Sequence, residues 1–224
     1  MNNYYSPSDQ GYMQGGQQPQ SLDAKVSAVM KLVYVKMFLA LLVSAAAAWG
    51  VPTLFPNLAN TLATNSWVYW GLAIAELALV FFISARMNKL SPGTSTALFL
   101  LFALVNGITL SVIFMAFSYA SIFKTFLITA AVFGAMSVYG FFTSRDLTRI
   151  GSFLVMALIG LIISGIGVLL FIGLTAWDTQ QIKRMAAMNM GIANGSLATW
   201  GALSLYLDFI NLFIYLLRFF GNRD

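Results

Sequence analysis

Membrane-length apolar runs dominate this chain of 224 residues. A helix needs about 20 apolar residues to cross the roughly 30 Å hydrocarbon core of a bilayer. Six such runs follow one another with short connections, at residues 37–56, 67–85, 95–118, 122–143, 150–177 and 197–220. In lipid, a chain must satisfy its backbone hydrogen bonds internally, which helices do within one segment. The pattern therefore predicts an all-α, polytopic membrane helical bundle embedded in the lipid bilayer.

The composition excludes several classes of function. Hydrophobic residues make up 59% of the chain and charged residues 8%, whereas soluble domains are about 45–50% apolar and about 25% charged. The formal net charge of +5 would suit nucleic acid in a soluble protein. Here the basic residues flank apolar runs, as they do in membrane proteins that use them to set orientation. We therefore expect no nucleic-acid partner.

The sequence has few of the residue types that usually perform catalysis or bind cofactors. The chain contains neither Cys nor His, so thiol nucleophiles, thiolate metal sites and the usual near-neutral pH switch are excluded. No phosphate loop or hydrolase motif occurs. We expect a protein that is not an enzyme and has no cofactor, and in which any pH response comes from carboxyl groups.

The two ends of the chain differ in character. Residues 1–24 begin with a stretch rich in Gln, Gly, Asn, Ser and Pro, which predicts a flexible polar tail, and the bundle is assigned to residues 25–224. Lys25, Lys31 and Lys36 precede the first apolar run. By the positive-inside rule, these lysines place the N-terminus in the cytoplasm.

The fifth apolar run, 150–177, has an awkward length. As a helix it would measure about 42 Å, too long for one comfortable crossing and too short for two with a turn. A single crossing would put Lys183 and Arg184 outside, against the positive-inside rule, and two crossings would put them inside. A re-entrant break near Ser164 is a third solution. The sequence leaves six and seven spans open.

Acidic residues in apolar runs mark candidate functional sites, because a charge in the membrane costs about 2.5–3.5 kcal/mol even on lenient scales. Glu76 lies in the middle of the second run, Asp178 at the end of the fifth and Asp208 within the last. Glu76 is protonated, paired across helices or set in a cavity. Asp178 could instead end a helix at the interface, in a solvated ion pair with Lys183 and Arg184.

The last run carries a polar stripe. Asp208, Asn211, Tyr215 and Arg218 are spaced i, i+3, i+7 and i+10, which places them within an arc of about 80° on one helix face. Such a stripe faces the bundle interior or a water path. The alternative is a polar clamp that fixes helix packing.

Several segments resemble the bacterial branch of the Bax inhibitor-1 (transmembrane Bax inhibitor motif) family. They are LSLYLDFINLFIYLLRFFG at 203–221, GLTAWDTQQIK at 173–183, NGITLSVIF at 106–114 and FGAMSVYGFFTSRDL at 133–147. The resemblance extends from about residue 25 to the end of the chain.

This resemblance implies seven transmembrane helices with the last one at the centre, in the bacterial inner membrane. It also implies a pH-sensitive leak in which Ca²⁺ is the transported ion. Asp178 and Asp208 would share a proton, gate the path and bind Ca²⁺ transiently. Arg86, one position out of register with the family pattern, would compete for Asp178 in a closed state, unless it is an ordinary positive-inside anchor. Glu76 matches an acid found in the second span of some members.

Two further points come from the same resemblance. The family has about one more helix near Ser164–Gly165 than this chain provides. Some bacterial relatives are associated with a membrane-bound ATP-dependent protease, so residues 1–24 could be a regulatory handle for such a partner.

Overall fold

The computed structural model describes residues 18–152, 154, 164–188 and 194–222. Over these ranges the chain is helical and contains no strand. The helices are α1 (Gln18–Leu54), α2 (Pro56–Thr64), α3 (Ser66–Ala85), α4 (Pro92–Leu110), α5 (Ile113–Ala116), α6 (Tyr119–Phe142), α7 (Ser164–Met188) and α8 (Asn194–Phe220). Residues 148–152 are also helical.

Five helical segments in the described part of the chain have the length and apolar composition of a membrane span. They are Leu22–Leu54, Ser66–Ala85, Pro92–Ala116, Tyr119–Phe142 and Asn194–Phe220. The prediction of an all-α polytopic bundle is confirmed. The five segments are fewer than the expected seven spans. Helix α7 is not among them because its polar side chains lower its mean hydropathy, and residues 155–163 lie outside the described part.

Side-chain caps explain where two of the spans begin. The Oδ1 atom of Asn65 accepts a hydrogen bond from the backbone N–H of Trp67 at 3.1 Å, just before α3. The Oγ atom of Ser91 accepts one from the backbone N–H of Thr94 at 3.1 Å. Pro92 follows Ser91 in the first turn of α4, where its missing N–H and fixed φ cost nothing.

The first helix starts much earlier than the apolar run at 37–56 indicates. It begins at Gln18, so residues 18–24, which the sequence assigned to a flexible tail, are helical. The buried residues Val26, Val29 and Val33 supply the reason, because they form an apolar face that packs into the core before the apolar run starts. Residues 1–17 lie outside the described residues.

The last helix is the centre of the bundle, as the family resemblance implied. Its most apolar stretch is 56% buried inside the protein, against 6–39% in the other four membrane-length segments. Helices α1, α4, α6 and α7 pack around it. Tyr206, Leu203 and Leu205 in its middle are fully buried.

The helix connections define two ends of the bundle. At one end, Ser196 in the first turn of α8 donates a hydrogen bond to the carbonyl of Leu90, in the α3–α4 connection, at 2.9 Å. At the other end, the N–H of Asn222 donates to Ser121 Oγ, near the start of α6, at 3.1 Å. We call the first the basic end because Arg86, Arg145, Arg149, Lys183 and Arg184 lie there, and the second the opposite end. Helix α8 runs from one to the other.

Lys36 ties three helices together near the basic end. Its side chain is buried, and its ammonium donates to Thr96 Oγ1 at 2.7 Å, the Gly195 carbonyl at 2.8 Å and Thr199 Oγ1 at 2.6 Å. All three partners are neutral oxygens, on α4 and the first turns of α8. A buried charge is tolerated only when its donors are satisfied in this way.

The two ends of the fifth apolar run lie at the same end of the bundle, which a single crossing of the membrane would not allow. Gly151 lies against the ring of Trp177, and Leu154 lies against Gly173, so the segment after residue 148 runs antiparallel to α7. Arg184 forms an ion pair with Asp146. Because Arg184 returns to the end at which this segment starts, the arrangement agrees with two passages and not with one. Residues 155–163 lie outside the described part.

Close helix crossings depend on glycine. A Cβ atom added to Gly140 on α6 would lie 2.2 Å from the Ala176 carbonyl oxygen of α7 and 2.9 Å from Ala176 Cα. These are backbone atoms, so the helices would have to separate. By contrast, a Cβ added to Gly134, on the same helix, meets nothing within 4 Å.

We therefore predict that Gly140→Ala lowers the stability of the folded protein by about 1–3 kcal/mol, the usual cost of overpacking. Gly134→Ala, the matched control on α6, should change stability by less than about 1 kcal/mol. Thermal unfolding of both variants in detergent measures the difference. Equal midpoints for the two variants would contradict the close crossing.

Candidate functional site: a carboxyl pair between α7 and α8

Asp178 and Asp208 meet at the interface of the two antiparallel helices α7 and α8. Asp208 is 5% exposed, and Asp178 is partly buried. The carboxyl group of Asp178 interacts with the side chain of Ser204 and with the carboxyl group of Asp208. The structure thus brings together the two acids that the sequence singled out, and it adds Ser204.

The carboxyl groups of Asp178 and Asp208 have too few hydrogen-bond donors around them. With both carboxyl groups ionised, Asp208 Oδ2 is buried and has no hydrogen-bond partner among the described residues. Buried polar atoms nearly always have partners, and two carboxylates can only repel each other. A proton held by either carboxyl group would give the pair the donor it lacks, so the two acids are expected to titrate as a unit.

A second unpartnered oxygen lies one helical turn away. Gln181 Oε1 is buried and makes no hydrogen bond to the described residues, and Gln181 follows Asp178 by three positions on α7. Gln181 Oε1 on α7 and Asp208 Oδ2 on α8 are thus two buried oxygens without a partner among the described residues. Oxygen is the ligand type that Ca²⁺ prefers.

The oxygens do not form a complete metal cage. The described residues contain no group of three or more Asp or Glu side chains that could hold a metal ion, and Ca²⁺ takes six to eight oxygen ligands. The transient binding of Ca²⁺ expected of Asp178 and Asp208 stays a prediction.

The remaining members of the polar stripe have different surroundings. Tyr215 faces α7, where its ring lies 5.8 Å from that of Phe171 and against Gly167. Asn211 donates to the carbonyl of Leu207 on its own helix at 2.8 Å. The stripe therefore includes two side chains directed at α7, Asp208 and Tyr215, whereas Asn211 is satisfied locally.

Glu76 is paired across helices, one of the three possibilities that the sequence left open. Its Oε2 accepts a hydrogen bond from Asn106 Nδ2 at 2.9 Å, and its Oε1 accepts one from Thr109 Oγ1 at 2.6 Å. Asn106 Oδ1 in turn accepts from the hydroxyl of Tyr206 at 2.9 Å, and that hydroxyl lies 2.6 Å from Ser44 Oγ. A polar chain thus connects α3, α4, α8 and α1.

This polar chain uses a face of α8 that the sequence analysis missed. Tyr206 precedes Asp208 by two residues, so their side chains leave the helix about 200° apart. The stripe pointed to the Asp208 face alone. The missed signal was the pair Asn106 and Thr109, two polar residues spaced i, i+3 within an apolar run.

A cavity of about 400 Å³ opens near this chain at the opposite end of the bundle. Thr109, which binds Glu76, is one of its lining residues, and Arg218 of the polar stripe is another. Glu76 is thus linked to a lining residue through its hydrogen bond to Thr109, but it does not line the cavity itself. It is not in contact with the Asp178–Asp208 pair.

Arg86 is not brought to the carboxyl pair. It caps the end of α3, is exposed, and its guanidinium lies 5.0 Å from the centre of the Phe82 ring. This position fits the positive-inside anchor that the sequence allowed as an alternative. A role in competing for Asp178 would require α3 to move.

The basic residues after Asp178 have partners elsewhere. Lys183 donates to the carbonyl of Phe141 at 2.7 Å, and Arg184 pairs with Asp146 at 2.8 Å. Asp178 is therefore not held in the solvated ion pair considered from the sequence. Hydrogen bonds from Thr148, followed by the one from Arg184, hold the pKa of Asp146 well below its usual range. The resulting stabilisation is present at neutral pH and is lost on acidification, and it is small because both side chains are exposed.

Comparison with known proteins identifies relatives over most of the chain. The family model described as "Inhibitor of apoptosis-promoting Bax1" matches residues 26–167 and 161–224. Inner membrane protein YbhL of Escherichia coli K12 is 43% identical over 220 residues, covering 89% of this chain and 94% of YbhL. An uncharacterized protein of Borreliella burgdorferi is 41% identical over 211 residues, covering 85% and 90%.

The same comparisons indicate that this chain lacks a segment that YbhL contains. The alignment with YbhL spans 220 residues but covers 89% of the 224 residues here, so about 20 residues of YbhL have no counterpart. The two family matches meet at 161–167. About 20 residues is the length of one membrane-crossing helix, which agrees with the departure expected near Ser164–Gly165.

We predict that Tyr206→Phe lowers the stability of the protein by about 1–3 kcal/mol, because it leaves Asn106 and Ser44 without their shared hydroxyl partner in a buried site. Tyr139→Phe on the exposed face of α6 is the matched control and should be neutral. The midpoint of thermal unfolding in detergent is the measurement. A Tyr206→Phe variant as stable as the control would show that the polar chain contributes nothing to folding.

Proposed function

Since the chain belongs to the Bax inhibitor-1 family, whose model covers nearly all of it, we propose that it is a pH-sensitive calcium leak channel gated by Asp178 and Asp208. One observation carries the proposal. Two carboxyl groups from neighbouring helices share a buried interface in which a donor is missing. Such a pair responds to protons in a chain that has no histidine.

The mechanism follows from the charge on the pair. With one proton between them, the two carboxyl groups hydrogen-bond and hold α7 against α8, which closes the path. When both are ionised, repulsion at short range in a medium of low dielectric constant loosens the interface. The freed oxygens of Asp178, Asp208 and Gln181 then offer successive ligands to Ca²⁺.

Glu76 and Arg86 take secondary roles in this proposal. Glu76, beside the cavity at the opposite end, attracts cations toward the bundle. Arg86 lies at the basic end, whereas the gate lies within α7 and α8. An inward movement of α3 would let its guanidinium neutralise Asp178 and stabilise a third, closed arrangement.

The orientation is also part of the proposal. The relative from Escherichia coli is an inner membrane protein, and this chain is a multi-pass membrane protein of the same family. By the positive-inside rule the basic end, with the N-terminus, faces the cytoplasm. The gate would then sense cytoplasmic pH.

Calcium flux into dye-loaded proteoliposomes at pH 6, 7 and 8 tests the proposal. We expect flux to rise with pH in the wild type, because ionisation of the pair opens the path. Asp208→Asn and Asp178→Asn each keep a hydrogen-bonding group but cannot share a proton in the same way, so their flux should be independent of pH.

Asp146→Asn is the matched control for this experiment. Asp146 is an exposed acid at the same end, paired with Arg184, and its replacement should leave the pH dependence intact. An unchanged pH dependence in both Asp178→Asn and Asp208→Asn would refute gating by the pair. A wild type without flux above empty liposomes at any pH would refute the leak itself and favour the regulatory role with a membrane-bound ATP-dependent protease.

A further inference from the structure

We propose that an anionic phospholipid of the surrounding membrane binds in a groove between α1 and α6, with its acyl chain along the groove and its phosphate at Lys31. This α1–α6 groove has a volume of about 490 Å³, within the usual range of ligand sites. The proposal concerns a lipid site and does not depend on the calcium leak.

The groove exists because two neighbouring helices do not close on each other. Helices α1 and α6 both pack on α7 and α8, but not closely against one another. Where they come nearest, the hydroxyl of Tyr34 on α1 contacts the Oγ atom of Ser137 on α6. Ser137 Oγ in turn lies 3.2 Å from Thr179 Oγ1 of α7. Tyr34 and Ser137 both line the groove.

The lining favours an acyl chain over water. Phe133, Val138, Phe141 and Phe142 form most of the α6 wall, and Met30 contributes to the α1 wall. The groove lies between two helices of membrane length, so we expect lipid beside its open side. An apolar cleft between helices is a typical place for a ligand.

Charge selects the headgroup. Lys31 lines the groove and is exposed, and it lies in the N-terminal half of α1, toward the basic end. Lys183 lies close by, with its ammonium 4.8 Å from the centre of the Phe141 ring. No acidic side chain is among the described lining residues. Juxtamembrane lysines attract anionic lipids by about 1 kcal/mol each, so a negatively charged phosphate ester is the favoured headgroup.

Gly134 provides a steric test. It lies in the wall of the groove, and a Cβ added there meets nothing within 4 Å. Gly134→Leu therefore fills the groove without disturbing the packed side of α6. Gly71→Leu is the matched control, because Gly71 on α3 also has nothing within 4 Å of an added Cβ and does not line the groove.

Native mass spectrometry of the purified full chain, titrated with dioleoyl phosphatidylglycerol or dioleoyl phosphatidylcholine, measures binding directly. We expect the wild type and Gly71→Leu to bind phosphatidylglycerol equally. Gly134→Leu should weaken the binding of both lipids at least tenfold.

A variant that removes the charge of Lys31 distinguishes the contribution of the lipid headgroup to binding from that of the acyl chain. Lys31→Gln should raise the dissociation constant for phosphatidylglycerol about fivefold, the equivalent of about 1 kcal/mol, and leave that for phosphatidylcholine unchanged. Lys89→Gln, an exposed lysine at the same end but away from the groove, should change neither. This comparison also keeps the proposal testable if Gly134→Leu does not fold.

Three results would overturn the proposal. Phosphatidylglycerol binding that is equal in Gly134→Leu and Gly71→Leu would place the lipid elsewhere. Equal effects of Lys31→Gln on both lipids would remove the assigned headgroup contact. A dimer that Gly134→Leu converts to monomer would show that a second copy of the chain, and not lipid, occupies the groove.

Discussion

Helix α8 is surrounded by other helices, and this enclosure sets the main constraint on the structure. A polar side chain in the middle of such a helix reaches neither water nor lipid headgroups, so it must find a partner on a neighbouring helix. Tyr206 and Asp208 satisfy this requirement in opposite directions. Tyr206 joins a neutral hydroxyl and amide chain that ends on Glu76, and Asp208 meets another acid.

The two faces of α8 consequently have different chemical properties. On the Tyr206 face, Tyr206, Asn106 and Thr109 each donate to an acceptor. The polar chain joins four helices at positions where they are in close contact, as at Gly107 against the Ser44 backbone. Such a network stabilises one arrangement. On the Asp208 face, one buried carboxyl oxygen has no donor among the described residues. In the proposed gating, the number of protons on the pair would decide whether the two acids attract or repel. The first face would then hold the bundle together, and the second would let it change.

Much of this arrangement could be predicted from the sequence. Apolar runs of membrane length gave the helical bundle, and the YLDFINLF segment gave the family and the central helix. The cost of an acid in lipid singled out Asp178 and Asp208. The sequence analysis missed the polar chain through Tyr206, because that chain depends on contacts between helices. Asn106, Thr109 and Tyr206 look like ordinary members of apolar runs until α3, α4 and α8 are placed side by side.

The prediction of a flexible tail over residues 18–24 failed for a related reason, because α1 begins at Gln18. Local composition at residues 18–24 is polar, but Val26, Val29 and Val33 bury one face of the same helix, and tertiary packing overrides a polar beginning. The fifth run was ambiguous because about 20 residues present in YbhL have no counterpart here. The carboxyl pair persists despite that gap, since α7 and α8 follow it and pack against each other.

The most direct test of the central claim is a reversible lock across α7 and α8. The chain has no cysteine, so Asp178→Cys combined with Asp208→Cys introduces the only possible disulfide. Calcium flux of this double variant would be measured in proteoliposomes under oxidising conditions and again after reduction. The account predicts no flux while the disulfide holds the helices together, and flux that is independent of pH after reduction. Equal flux in the two states, with the disulfide verified by mass spectrometry, would contradict gating at this interface.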